Sequence, residues 1–243
     1  MPAIGLPTIV IVPGAFCKPD IFDSLLTYLK AAGFTTHLGP IPSCDPADPT
    51  VATCEADSTS LRNEVLVPLL AKGEDIVVFA HSYGGTVAGS AIKNLDKDTR
   101  KKEGKAASII GLIYLAGIIS LEGETVLQAV GGSLPPFIKI DKPAKGLSVI
   151  EPLSKHMSPH ALLAFNSPAL APGWADSGFE GKRAYIRTVK DLCNPLWLQD
   201  VWLEKSKVEW DVTNLDTGHM PFLSRPEALA AEIVRLSTGL LAA

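Results

Sequence analysis

The stretch from Asp75 to Ser90, Asp-Ile-Val-Val-Phe-Ala-His-Ser-Tyr-Gly-Gly-Thr-Val-Ala-Gly-Ser, constrains this chain more than any other. Ile76 to Ala80 is a short apolar run with the composition of a buried strand. From Thr86 onward, to about Leu95, the pattern is helical. Between them Ala80-His-Ser-Tyr-Gly-Gly85 forms a nucleophile elbow, with Ala80 where the first glycine usually stands. Such a sharp turn strains Ser82 and lifts its hydroxyl clear of a sheet. Ala80 and Gly84, two positions either side, are small enough for strand and helix to cross closely. The N–H of Tyr83 starts the helix and points to where an oxyanion would form.

A strand–turn–helix unit of this kind needs a sheet to sit in, and the rest of the chain supplies one. Thr8-Ile-Val-Ile-Val-Pro13 is a β-branched run bounded by Pro7 and Gly14, and predicts a central, doubly covered strand. Gly14-Ala15-Phe16 is the turn after it. A helix from Pro19 to Lys30 stops before Gly33. Phe34 to Leu38 predicts a second strand, and the four prolines between 39 and 50 predict a loop. Leu61, Val65, Leu66, Leu69 and Leu70 fall at helical spacing within a helix from Ala56 to Ala71. Residues 96–105 are a charge-rich surface connection, and Ala107 to Leu115 is another buried strand. After 181 come a strand at Arg183–Val189, a helix at Pro195–Lys205, a strand at Lys207–Val212 and a closing helix at Arg225–Leu241. This alternation predicts an α/β chain, a doubly wound, mostly parallel sheet of about six strands.

Between Ser120 and Gly181 the rhythm changes. Glycine and proline become frequent, and the helical pieces are short: Glu124–Val130, Gly146–Leu153 and Pro159–Phe165. We read residues 120–181 as a helical cap inserted into a core made of 1–119 and 182–243, within one structural domain. Leu127, Phe137, Leu153, Leu162, Phe165 and Trp174 make the cap apolar.

With 243 residues, 47% apolar and 20% charged, the chain has the composition of a globular domain. The net charge of −4 gives no basic surface for nucleic acid or anionic lipid. The N-terminus lacks the basic and apolar regions of a signal peptide, and Ala106–Ser120 is too short and interrupted to span a membrane. The expectation is therefore a cytoplasmic protein, a homodimer being possible. Cys17, Cys44, Cys54 and Cys193 show no metal-like spacing and are read as reduced thiols, a Cys44–Cys54 bridge being the lesser reading.

A serine hydroxyl needs a base within hydrogen-bond reach, and the base needs an orienting carboxylate. Of the five histidines, His219 lies between the last strand and the last helix, at the end of the sheet where Ser82 opens. His37 comes early, His156 and His160 belong to the cap, and His81 should point away from the attack face. Asp191 follows the strand at 183–189 and outranks Asp216 and Glu122. The order Ser82, Asp191, His219 is that of a strand-borne hydrolytic triad. A second oxyanion donor should come from the loop after the first strand, and Ala15 N–H fills that place. Gly14 lets backbone approach a substrate closely. Phe16 and Tyr83 are expected in the pocket wall.

Val12-Pro-Gly-Ala-Phe16, Ala80-His-Ser-Tyr-Gly-Gly85, Tyr185-Ile-Arg-Thr-Val-Lys-Asp191 and Gly218-His-Met-Pro-Phe222 resemble the α/β-hydrolase superfamily. The likeness is to the branch of plant methyl-ester esterases and hydroxynitrile lyases, and it covers nearly all of the chain outside the cap. It implies an α/β-hydrolase fold and acyl transfer through an acyl-enzyme on Ser82, with no metal and no cofactor. The substrate would be a small apolar or aromatic ester or lactone. Relatives usually carry His-Gly where this chain has Pro13-Gly14. The lyases carry threonine at the position of Gly14 and lysine at that of Met220. Both differences favour ester hydrolysis and put Met220 beside the substrate. The alternatives are a lyase or cyclase using the same triad, and a slow ligand-binding relative.

Overall fold

A computed structural model of the chain describes residues 5–151 and 155–242. Its centre is a six-stranded, wholly parallel sheet. In chain order the strands are β1 (Thr8–Val12), β2 (Thr36–Leu38), β3 (Ile76–His81), β4 (Ile109–Leu115), β8 (Arg183–Thr188) and β9 (Asp211–Leu215), and in space they run β2-β1-β3-β4-β8-β9. β1, β3 and β4 are buried at every position, because helices cover both faces. Val10, Val12, Val78, Ala80, Leu112 and Tyr114 point to one face. Ile9, Ile11, Val77, Phe79, Ile113 and Leu115 point to the other.

The first face packs on α2 (Cys54–Ser60), a π-helical stretch at Leu61–Leu66, α3 (Val67–Ala71), α4 (Gly84–Ala91) and α8 (Leu196–Ser206). The second face packs on α1 (Asp23–Ala31), α9 (Pro221–Ser224) and α10 (Pro226–Ala242). The chain steps from β1 out to β2 and returns on the other side of β1 to β3. The loops after β1 and β3 therefore part at a switch point of the sheet, where parallel α/β folds open a crevice.

Three expectations need correction. The Gly146–Leu153 piece is not helical: Leu147–Ile150 is strand β6, paired antiparallel between β5 (Ile138–Ile140) and β7 (His160–Ala161). Gly146 at φ +82 turns the chain into that hairpin, its N–H donating to Asp141 Oδ1, and the β-branched Val149 and Ile150 suit a strand. Leu153 lies outside the described residues. The last strand starts at Asp211, not Lys207, because Lys207 at φ +56 closes α8 and residues 208–210 let Trp210 reach back to Tyr114. The charged run 96–105 contains α5 (Lys97–Lys102), capped by the Asp96 side chain on the N–H groups of Asp98 and Thr99.

Among the described residues the α-helices of segment 120–181 are α6 (Val126–Ala129), held by a Thr125/Gln128 capping box, and α7 (Leu162–Asn166), with short 3-10 turns at Gly173–Ala175 and Ser177–Phe179. All four cysteines are free. Among the described residues no helix is long and apolar enough to cross a membrane.

Candidate active site

The elbow ends β3 and opens α4. Ser82 has φ +52, a left-handed conformation that serine rarely adopts. Three backbone hydrogen bonds hold it there. Its N–H donates to Leu115 O at 3.2 Å, and its carbonyl accepts from Gly85 N–H and Ile118 N–H, each at 2.9 Å. The glycines around it are spacing requirements. A Cβ on Gly84 would sit 2.5 Å from the carbonyl oxygens of Val12 and Pro13, and one on Gly85 2.7 Å from Ile118 O. A Cβ on Gly14 would meet His81 Nδ1 at 2.7 Å and Ser82 Cβ at 3.1 Å.

Asp191 and His219 come together although 28 positions apart in sequence. His219 Nδ1–H donates to Asp191 Oδ2 at 2.7 Å. Three further donors saturate the carboxylate. The Thr188 hydroxyl reaches Oδ2 at 2.7 Å, and the Cys193 and Asn194 N–H groups reach Oδ1 at 2.8 Å each. Burial works against the Asp191 charge, but the His219 hydrogen bond and the Thr188 hydroxyl outweigh it and hold its pKa below the usual carboxylate value. In the neutral ring Nδ1 carries the proton toward Asp191, and Nε2 keeps a free lone pair. Burial alone would lower the His219 pKa; the Cys193 sulfur and the Asp191 carboxylate overcome it and push it up to about 10.

Ser82 and His219 border one cavity of about 330 Å³, with Ala15, Phe16, Tyr83 and Met220 also in its wall. No hydrogen bond joins Ser82 Oγ to His219 among the described residues. The N–H groups of Ala15 and Tyr83 have no acceptor among the described residues either, so both remain available to a ligand. The rest of the wall is mostly apolar, with Val126, Leu134 and Ile138 from one segment and Phe165 and Leu198 from others, interrupted by Ser133 and Asn194. A second apolar groove, lined by Phe137 and Leu223, meets the cavity at Ile150, Cys193, His219 and Met220.

The other sequence candidates lie elsewhere. Gly14 is not in the cavity wall; it backs the elbow. Asp216 is exposed and pairs with Lys190 at 2.8 Å, and Glu122 is exposed. His156 pairs with Asp20 at 2.8 Å. Trp174 is buried against Gly89 and Trp210, away from the cavity. His81 points behind the elbow, where its Nε2–H donates to the His219 carbonyl at 2.9 Å. Burial, with the nearby His219 charge, holds its pKa well below the usual imidazole value, so it is a neutral clamp on the His219 loop. Sequence reasoning missed that clamp and the place of Cys193 beside His219, since neither contact leaves a local pattern.

The arrangement can carry out proton transfer from a hydroxyl to Nε2 of a carboxylate-oriented imidazole, next to two free N–H donors. Among the described residues no cluster of three or more His, Cys, Asp or Glu side chains could hold a metal ion.

Comparison with known proteins gives a consistent picture. The model of an alpha/beta hydrolase family matches residues 9–232. A probable hydrolase from a Phoma species is 28% identical over 251 residues, covering 95% of this chain and 98% of that protein. A pyrethroid hydrolase from Sphingobium wenxiniae is 22% identical, covering 93% of this chain and 85% of that protein. Among solved structures, a pyrethroid hydrolase from Sphingobium faniae superposes with a TM-score of 0.73 at 19% identity, over 96% of this chain and 97% of its own. A methylesterase from Arabidopsis gives 0.66 at 22% identity, over 95% and 99%.

Proposed function

The chain belongs to the alpha/beta hydrolase family, and from that premise we propose that it is a serine esterase with Ser82, His219 and Asp191 as its triad. One observation carries the reading. A strained serine and an imidazole oriented by a fully satisfied carboxylate border the same apolar cavity. Hydrolases among its relatives, a pyrethroid hydrolase and a methylesterase included, support the same class of reaction.

His219 Nε2 takes the Ser82 proton as Oγ attacks the ester carbonyl. The N–H groups of Ala15 and Tyr83 receive the oxyanion. His219 then protonates the leaving alcohol, and the acyl-enzyme forms. Water enters, loses its proton to the same nitrogen, and releases the acid from Ser82. Asp191 keeps the imidazole in the tautomer that exposes Nε2.

The apolar wall suits a small apolar or aromatic carboxylic ester or lactone. Phe16, Tyr83 and Met220 would touch the substrate, and Gly14 would support the oxyanion loop from behind. Segment 120–181 would act as a cap that completes the wall over the core formed by 1–119 and 182–243. The adjoining groove offers room for part of the leaving alcohol.

Turnover of phenyl acetate in oxygen-18 water tests the reaction type. Hydrolysis through Ser82 puts the heavy oxygen into acetate, and Ser82→Ala lowers kcat by roughly 10⁴-fold or more. Products without label, or unchanged turnover in Ser82→Ala, would rule the mechanism out.

A further inference from the structure

A polar cluster lies buried in the apolar core behind the elbow, built from Ser43, Asp57, Tyr83 and His160. Asp57 on α2 and His160 on β7 are wholly buried, and so is Ser43. Asp57 Oδ1 accepts from Ser43 N–H at 2.8 Å. Asp57 Oδ2 accepts from the Tyr83 hydroxyl at 2.5 Å and from the Ser43 hydroxyl. With its one proton directed at Asp57, Ser43 Oγ accepts from His160 Nε2–H at 3.1 Å. That sets the His160 tautomer and leaves its Nδ1 buried with no partner among the described residues.

This is a poor way to build a core. Burial opposes the Asp57 charge and raises its pKa; against it stand hydrogen bonds from Ser43 and Tyr83, with no cation among the described residues paired to it. Apolar residues of similar volume would pack there more cheaply. The cluster's position offers a reason for it. Tyr83 follows Ser82, whose φ of +52 stores strain. Rotation of the Ser82–Tyr83 peptide, which the bonds from the Gly85 and Ile118 N–H groups to the Ser82 carbonyl oppose from one side, would swing the Tyr83 N–H away from the cavity. The Tyr83 hydroxyl bond to Asp57 resists that rotation by pinning the side chain at its far end.

The cluster also reaches the loop after β1. His160 packs on Phe165, Tyr83 and Phe16, with ring centroids 4.8, 5.0 and 5.4 Å apart. Phe16 has φ +67, and its carbonyl accepts from Ser158 N–H at 2.9 Å. Ser43 O in turn accepts from Ala161 N–H at 2.9 Å. The neighbours of both free N–H groups, Ala15 and Tyr83, are thus gripped by one assembly.

We propose that Asp57, Ser43 and His160 are positioning residues for the oxyanion hole, Asp57 holding Tyr83 and His160 holding the Phe16 turn. The inference rests on the serine-esterase reading above. The hydroxyl deletion Tyr83→Phe, Asp57→Asn and the double variant test it. The measurements are kcat and KM for p-nitrophenyl acetate, affinity for phenylethaneboronic acid and for 3-phenylpropanoate, fluorophosphonate labelling rate, and thermal midpoint. The boronic acid forms a tetrahedral adduct that needs the oxyanion hole, whereas the planar acid does not.

Each single variant is expected to lose about 10- to 100-fold in kcat, with KM within about twofold. Boronic acid affinity should fall by the same factor and carboxylate affinity should hold. The double variant should be no worse than the worse single, because the effect of each on the oxyanion hole runs through the same Tyr83–Asp57 bond. Wild-type kcat and boronic acid affinity in a folded Tyr83→Phe would overturn the proposal. So would parallel loss of carboxylate affinity and KM, which marks a wall contact. Should Asp57→Asn fail to fold, Tyr83→Phe decides alone. Should both fail, Ser43→Ala, which keeps Asp57 and Tyr83, is read by the same criteria. A wild type that resists fluorophosphonate sinks the esterase reading itself; a labelled wild type with an equally fast Tyr83→Phe sinks only this inference.

Discussion

At the scale of single residues, the site turns on what surrounds His219. In the proposed mechanism its imidazolium could not accept the Ser82 proton, so activity would require the neutral ring. The groups facing it are the Asp191 carboxylate, the Cys193 sulfur and the ring of His81 at 4.6 Å, and the first two favour the charged form. The acid limb of kcat/KM should therefore lie above the ordinary imidazole value of 6.5. Cys193→Ser is expected to move that limb down and to raise activity below it, which a pH–rate profile of both proteins checks. The linkage has the opposite sign for stability. A raised His219 pKa contributes below 6.5 and is lost as pH climbs toward about 10. Ser82, Asp191 and His219 were legible as candidates because each follows a strand in a chain order that local patterns reveal. Asp57, Ser43 and His160 were not. Their contacts span 14 and 117 positions, and a lone Asp in a helix or a His in a glycine-rich segment announces nothing.

At the scale of elements, close approach rather than propensity shapes the elbow. α4 begins Gly84-Gly85, a poor helix start by propensity, because any Cβ there collides with backbone. Gly84→Ala should destabilise by about 1–3 kcal/mol and displace Ser82. Gly239, in α10 with open space around it, is the control. Gly239→Ala should stabilise by about 0.5–1 kcal/mol. Thermal unfolding of both variants measures the difference, and equal midpoints would contradict the packing argument. The buried strands were legible in sequence as β-branched runs. The elements misread were those whose partners decide them. Leu147–Ile150 is a strand because β5 and β7 flank it, and the last strand is an exposed edge whose start Trp210 displaces. Ala56 to Ala71, with one helical stripe of leucines, hides a π-helical stretch at Leu61–Leu66 that no spacing betrays.

At the scale of the whole molecule, the sheet brings the ends of β1, β3, β8 and β9 to one edge. Each delivers one part of the proposed site: the Ala15 N–H, Ser82, Asp191 and His219. The apolar cavity sits above that edge, and segment 120–181 supplies much of its wall. The central claim is that Ser82 is an activated nucleophile. The most direct test is intact mass after a fluorophosphonate, with peptide mapping, on wild type and Ser82→Ala. One phosphonyl adduct per wild-type chain, mapped to Ser82, and none on the variant is the expected result. An unlabelled wild type, or an adduct that persists in Ser82→Ala, would contradict it.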